Sequence, residues 1–254
     1  MKIRVLGAFG GEGLGHRPSA FLVNDRLLID GGSVTGALTV PEQLRIEHAL
    51  VSHAHLDHIA GLVYLTETLA FCKTRAAVTI AGVDPVITAL RSHVFNNVLW
   101  PDFSKIPHAD VPVVTYRTLV EDVEQRVGDV WVTPVPVSHT VPTTGFVVHD
   151  GTTGLIYSGD TGPTKALWDA ARGLTGIRAV ILECAFPNRL AALAEIAKHM
   201  TPDLIRRELD KLPPNVPVWI FHVKPQFAEE IAEELDRLGG DRVVLLEQDH
   251  TYAV

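Results

Sequence analysis

Cysteine is scarce in this chain. Cys72 and Cys184 are the only two among 254 residues, and they form no Cys-x-x-Cys pair. That excludes a disulfide framework and a thiolate metal site, and both read as buried, reduced thiols of a cytoplasmic protein. No run approaches the roughly 18 consecutive apolar residues of a membrane span. The opening MKIRVLGAFGGEG lacks a basic region, apolar core and cleavage site, so it reads as a first strand rather than a signal peptide. No block of lysine and arginine stands out, and the formal net charge is −8. A protein that grips long nucleic acid usually carries a basic stripe, so a polymer partner is not expected. A small phosphate ester is not excluded, because its charge can be met locally. There is no Gly-x-Ser-x-Gly elbow of a serine hydrolase. With no repeat, low-complexity tract or long linker, a single domain over 1–254 is expected.

Apolar, β-branched runs of strand length punctuate the sequence: KIRVLG, SAFLVN, RLLIDGG, HALVSH, AAVTIAG, VWVTPVPVSH, TGFVVHD, GLIYSGD, AVILECAF, VPVWIFHVK and RVVLLEQ. Helices are expected over 59–72, over 84–95 from Asp84-Pro85, near 202–211 from Thr201-Pro202, and over 227–238, stopped by Gly239-Gly240. Many strands with helices spread between them imply two sheets packed face to face with helices outside. Polar residues recur where strands end: His53 after HALVS, His139 after VTPVPVS, Asp160 after GLIYSG and His222 after VPVWIF. Such ends converge on one rim of a sandwich. In VSHAHLDHIAG, residues 51–61, His53, His55, Asp57 and His58 crowd a strand-to-helix loop, with the helix starting at about Ile59. Imidazole and carboxylate donors suit zinc, manganese or iron.

The His-x-His-x-Asp-His pattern, with the later strand-end ligands in order, resembles the metallo-β-lactamase superfamily. The resemblance implies an αβ/βα four-layer sandwich, a mixed α/β (α+β) fold of two mixed β-sheets with helices outside. It further implies that His53, His55 and His139 hold one divalent ion, that Asp57, His58 and His222 hold a second, and that Asp160 bridges them. Asp30, in LLIDGG, matches an aspartate that backs these ligands. Zinc is the default ion, with manganese or iron accepting the same donors. Two divalent ions against Asp57, Asp160 and a bridging hydroxide leave a site of about +1, suited to an anion.

Two further stretches narrow the resemblance. ECAFPN at 183–188 and KHMTP at 198–202 are similar to glutamate and histidine motifs of the phosphodiesterase branch and of transfer-RNA 3′-processing enzymes. By that similarity Glu183 orients His199, which protonates the leaving oxygen, beside a helix capped by Thr201 whose positive end faces the phosphate. HAHLDHIAGL and the segment 93–101 look like class II cyclic-nucleotide phosphodiesterases. These imply hydrolysis of 3′,5′-cAMP or cGMP to the 5′-monophosphate by a metal-bridging hydroxide, with Asp57, His199 and Glu183 catalytic. Asn97, Trp100 and His199 would contact substrate, and a homodimer is implied. Tyr64-Leu65-Thr66-Glu67 departs from that family's signature, which has a small residue followed by serine and alanine or proline; nucleotide preference is left open. The alternatives are a ribonuclease Z-like phosphodiesterase on RNA ends, a thioester or lactone hydrolase, and a non-catalytic metal or nucleotide sensor. The missing Gly-rich arm and the negative charge weigh against the first. His16, His48, His108 and His149 read as structural, and His250 and Tyr252 as following the last strand.

Overall fold

Alternation along the strands sorts apolar side chains onto two faces. In Leu27–Gly31, Leu27 and Ile29 join the core between the sheets while Leu28 joins the core under the helices. Leu50 and Ala81 repeat the inward choice, and Ala49 and Ile80 the outward one. In the other sheet Leu155, Tyr157, Ala179 and Ile181 face inward, and Ile156, Val180 and Leu182 outward. Strands buried on both faces carry continuous apolar runs, which is why the sequence showed them as blocks.

The computed structural model describes all residues except 73–76, 173, 175, 213–214 and 239–241. One sheet runs, edge to edge, Thr251–Ala253, Lys2–Gly7, Ala20–Val23, Leu27–Gly31, His48–Leu50, Val78–Val83 and Val114–Leu119. The other runs Val243–Leu245, Val218–Phe221, Ile177–Glu183, Gly154–Tyr157, Thr144–His149, Val130–Pro136 and Gln125–Val127. Each sheet is antiparallel on one side and parallel on the other. Helices cross between the parallel strands and cover the outer faces, giving the expected four layers. Between the sheets Phe21 meets Tyr157 and Phe221 edge-on at 5.6 and 5.4 Å. Such pairs add about 0.5–1.5 kcal/mol each beyond burial.

Every apolar run read from the sequence contains a strand. The helices differ in detail. The one after the histidine cluster spans Leu56–Phe71 with His55 as N-cap. Asp57 and His58 therefore belong to its first turn rather than to a loop. Asp84–Ala89 continues as a π-helical turn, Leu90–Val94, and Pro202–Leu209 and Ala228–Asp236 lie where expected. The glycine stop at Gly239-Gly240 lies outside the described residues. Val40–Gln43, Ala166–Ala171 and Ala191–Ala197 are helices too short to show a period. Tyr252 sits within an edge strand paired to Lys2–Gly7, not beyond the last strand. Cys72 is exposed rather than buried, and Cys184 is buried. Among the described residues no helix is long and apolar enough to cross a membrane.

Candidate metal centre

Parallel strands leave their C-terminal ends at one rim, where ligands gather in open α/β sheets. Asp30 lies in Leu27–Gly31, His53 follows His48–Leu50, and Asp160 follows Gly154–Tyr157. Glu183 ends Ile177–Glu183, and His222 follows Val218–Phe221. His139, from the antiparallel strand Val130–Pro136, reaches the rim from the side. Asp30 and His222 hold positive φ, 54° and 65°. For residues other than glycine this is uncommon and costs energy that packing must offset.

Donor atoms converge here in three groups: His53, His55, His139 and Asp160; Asp57, His58 and His222; and Asp160, His199 and His222. His55 Nδ1 lies 3.0 Å from His53 Nε2 and 3.3 Å from His139 Nε2. Asp160 Oδ2 is 3.1 Å from His222 Nε2 and 3.6 Å from His53 Nε2, and Oδ1 is 3.2 Å from His58 Nε2. Nitrogens aimed at one another around one carboxylate suit a shared cation. His58 Nε2, His222 Nε2 and Asp160 Oδ1 are all buried without a hydrogen-bond partner among the described residues. A buried orphan costs about 1–3 kcal/mol, and three in one place fit a divalent metal ion as the missing partner. The all-nitrogen-and-oxygen donor set agrees.

In four of these rings the other nitrogen has a partner that aims it. Asp30 Oδ2 accepts from His58 Nδ1 at 2.7 Å, and Lys198 O lies 3.3 Å from His139 Nδ1. Ser52 Oγ is 3.0 Å from His53 Nδ1, and Ser19 Oγ 3.3 Å from His222 Nδ1. Such outer partners set the tautomer and ring angle of a ligand. Burial disfavours the imidazolium of His53 and His222 and holds both well below the ordinary histidine value; it brings His139 down to about 4. Neutral imidazole is the ligating form. Burial opposes the charged form of His58 as well, but Asp160 and Asp30 on its two sides outweigh it and raise its pKa. Burial would raise Asp160, yet His222, His58 and His53 keep it well below the usual carboxylate range.

Asp30 is the hub behind these ligands. Besides His58 it accepts from Ser52 N and Oγ, both at 2.8 Å, and from Tyr157 OH at 2.6 Å. Tyr157→Phe leaves the ring packed and removes one donor. The expected result is a stability loss of about 1–3 kcal/mol in thermal melts, with about tenfold weaker metal binding by competition with a chelating dye. Glycine seats the ligand-bearing helix turn: a Cβ on Gly32 would fall 2.1 Å from Asp57 O and 2.7 Å from Pro18 Cβ. Gly32→Ala must therefore push the Asp57–His58 turn away. Metal affinity about 10–100-fold lower is expected in the same titration, and unchanged affinity would refute this role for Gly32.

Glu183 and His199 form the pair anticipated from the two motifs. Glu183 Oε1 accepts from His199 Nδ1 at 2.7 Å and from Thr161 N at 3.0 Å, and Oε2 accepts from Met200 N at 3.2 Å. Burial raises the Glu183 pKa, with His199 pulling against it. Burial likewise disfavours the charged His199 ring, but the Glu183 carboxylate outweighs it and raises the histidine. The ring stacks on His222 at 5.3 Å, centroid to centroid, and meets His139 at 5.0 Å. Thr201 caps the next helix, and its hydroxyl and the Asn188 carbonyl already accept from Leu204 N and Asp203 N. The expected contribution of that helix end to phosphate binding thus has two of its amides engaged.

Residues 28–246 match the beta-lactamase superfamily domain. The chain belongs to that family. It is 26% identical to a 3′,5′-cyclic-nucleotide phosphodiesterase of Aliivibrio fischeri, over 82% of this chain and 74% of that protein. It is 34% identical to a 3′,5′-cyclic-nucleotide phosphodiesterase of Schizosaccharomyces pombe, over 45% of this chain and 31% of that one. The fold is shared with unliganded yeast PDE1, at a TM-score of 0.82 and 20% identity over 98% of each chain.

Within this beta-lactamase-type site, several residues escaped sequence reasoning. Lys224, two beyond His222, donates to Gly10 O at 2.5 Å and sits 3.7 Å from Asp57 Oδ2. A lone lysine after a strand carries no signal until the loop at Gly10 is folded over it. Ser52, Tyr157 and Thr161 were silent for the same reason. Two residues carried over by resemblance lie elsewhere. Asn97, at φ 64°, accepts from Asp102 N at 2.9 Å, and Trp100 meets Tyr64 edge-on at 5.9 Å. Among the described residues no hydrogen bond or ring contact joins either to the cluster. His16 packs edge-on against Phe9, and His149 pairs with Glu124 at 2.7 Å.

Proposed function

We propose that this chain is a 3′,5′-cyclic-nucleotide phosphodiesterase, one domain over 1–254 acting in the cytoplasm, with two divalent ions that are zinc by donor type. The observation that carries the reading is the buried Glu183–His199 pair placed against the Asp160 cluster. A phosphodiester with a poor leaving group needs both features, and relatives named for that activity support the substrate class. His53, His55 and His139 would hold one ion, Asp57, His58 and His222 the other, and Asp160 both. Bound there, such ions supply Lewis-acid activation of water and offset charge on the phosphoryl group.

The chain's own groups do the rest. With Nδ1 held by Glu183, His199 has Nε2 left to deliver a proton to the departing 3′ oxygen. A carboxylate against Nδ1 fixes that tautomer and stabilises the ring while it is charged. Asp57, whose side chain is 22% exposed while the neighbouring His58 and His222 are fully buried, is the carboxylate able to orient an incoming water at the rim. Lys224 adds a positive charge beside it. Lys198 and His139 clamp each other beside His199: Lys198 Nζ donates to His139 O at 3.0 Å, and Lys198 O lies 3.3 Å from His139 Nδ1.

The test is hydrolysis by metal-reconstituted protein of 3′,5′-cAMP, 3′,5′-cGMP, 2′,3′-cyclic nucleotides and bis(p-nitrophenyl) phosphate in parallel. Efficient opening of a 3′,5′-cyclic nucleotide is the expected result. Turnover of the nitrophenyl ester alone overturns the substrate class.

A further inference from the structure

On the side of His199 that faces Ala191–Ala197 and Pro202–Leu209, the molecule opens into a cavity of about 670 Å³. Small side chains, Ala192 and Ala194 among them, leave room along one wall. Glu195 and Arg207 line it from the two different helices. Neither side chain makes a hydrogen bond or ion pair with any described residue. Nearby arginines on the same surface are paired instead, Arg206 with Asp203 and Arg189 with Glu230. Opposite charges therefore line one cavity without closing on each other.

The inference rests on the proposed phosphodiesterase reaction. In a 3′,5′-cyclic nucleotide the leaving 3′ oxygen belongs to the ribose that carries the base. If His199 protonates that oxygen, the nucleoside must extend to the His199 side of the metal ligands, where this cavity lies. Guanine offers O6 and N7 as a pair of acceptors, the pattern that an arginine fork donates to. Its N1–H and N2–H₂ donors face the other way and match a carboxylate. Adenine instead places an N6–H₂ donor beside N7, which suits an asparagine or glutamine amide. The cavity's one asparagine, Asn188, already has its carbonyl engaged by Asp203 N.

We infer that the cavity beside His199 is the nucleoside subsite and that Arg207 and Glu195 read a guanine base in it. The chain then prefers 3′,5′-cGMP over 3′,5′-cAMP. One well-formed bidentate pair discriminates by roughly 5- to 150-fold, so a preference of about tenfold or more is expected.

The experiment measures the cGMP-to-cAMP ratio of kcat/KM, and the ratio of Kd values for 5′-AMP and 5′-GMP, on metal-loaded wild type, Arg207→Ala and Glu195→Gln. Both positions are exposed, and a ratio taken within one preparation cancels any general loss of activity. A wild-type preference for guanine that falls toward unity in each variant supports the subsite. Equal affinity for the two monophosphates, a preference for adenine, or a guanine preference untouched by both substitutions overturns it. Guanine-selective binding without turnover of either cyclic nucleotide leaves the subsite standing and overturns the proposed reaction instead.

Discussion

Asp160→Ala is expected to abolish hydrolysis, with kcat/KM falling on the order of 10³-fold or more. Asp160 is 1% exposed and touches both donor groups: Oδ2 faces His222, His53 and His139, and Oδ1 faces His58. Asp57 is placed differently: its carboxylate shares a donor group with His58 and His222 and comes within 4 Å of His222 and Lys224, but is not in the group of His53, His55 and His139. In the proposed two-ion arrangement, removing Asp160 takes a ligand from both positions at once, and it leaves His58 between fewer anions. Asp160→Asn keeps the volume and loses the charge, so metal content should fall in both variants. The readouts are metal per chain by atomic absorption and turnover of bis(p-nitrophenyl) phosphate. A variant that retained two ions per chain and a tenth of wild-type turnover would refute the bridging role.

His199→Ala is expected to slow opening of a cyclic nucleotide by about 10²–10⁴-fold. Turnover of bis(p-nitrophenyl) phosphate should fall far less. The difference follows from the leaving group: a ribose alkoxide departs only as it gains a proton, whereas nitrophenolate departs without one. Glu183→Gln keeps an oxygen for only one of Thr161 N, which donates to Oε1, and Met200 N, which donates to Oε2, and removes the charge behind the ring. It should lie between wild type and His199→Ala for the cyclic nucleotide. It is also expected to cost about 1–3 kcal/mol of stability, because a buried network loses its match. The competing role is visible in the geometry, since His199 shares a donor group with Asp160 and His222. Were His199 a metal ligand, both substrates would slow equally and metal content would drop. The leaving-group contrast separates the two roles.

The donor cluster was legible because its members sit beside a pattern the chain repeats locally. An apolar run marks a strand, its end marks the rim, and a histidine or aspartate there has few other reasons to stand. The Glu183–His199 pair was legible through resemblance, not spacing, since the fifteen intervening positions carry a loop, a 3₁₀ turn and a short helix. The segment 93–101 shows the reverse case. Its residues match a family stretch, yet Asn97 stabilises a local turn and Trp100 packs on Tyr64.

By itself, the sequence determined eleven of the strands, the long helices, the layered class and the types of donor at the candidate metal centre, but not the edge strands Val114–Leu119, Gln125–Val127 and Thr251–Ala253. These depend on side-chain period and residue chemistry, which are written in neighbouring positions. Only the tertiary structure decided that Tyr157 meets Asp30 across 127 positions, that Gly32 admits the Asp57 turn, and that Lys224 reaches Asp57 over the Gly10 loop. It alone placed Glu195 and Arg207 on one cavity beside His199. Those contacts arise where two sheets and their helices pack against one another, and no local pattern records which distant side chains that packing will bring within a hydrogen bond.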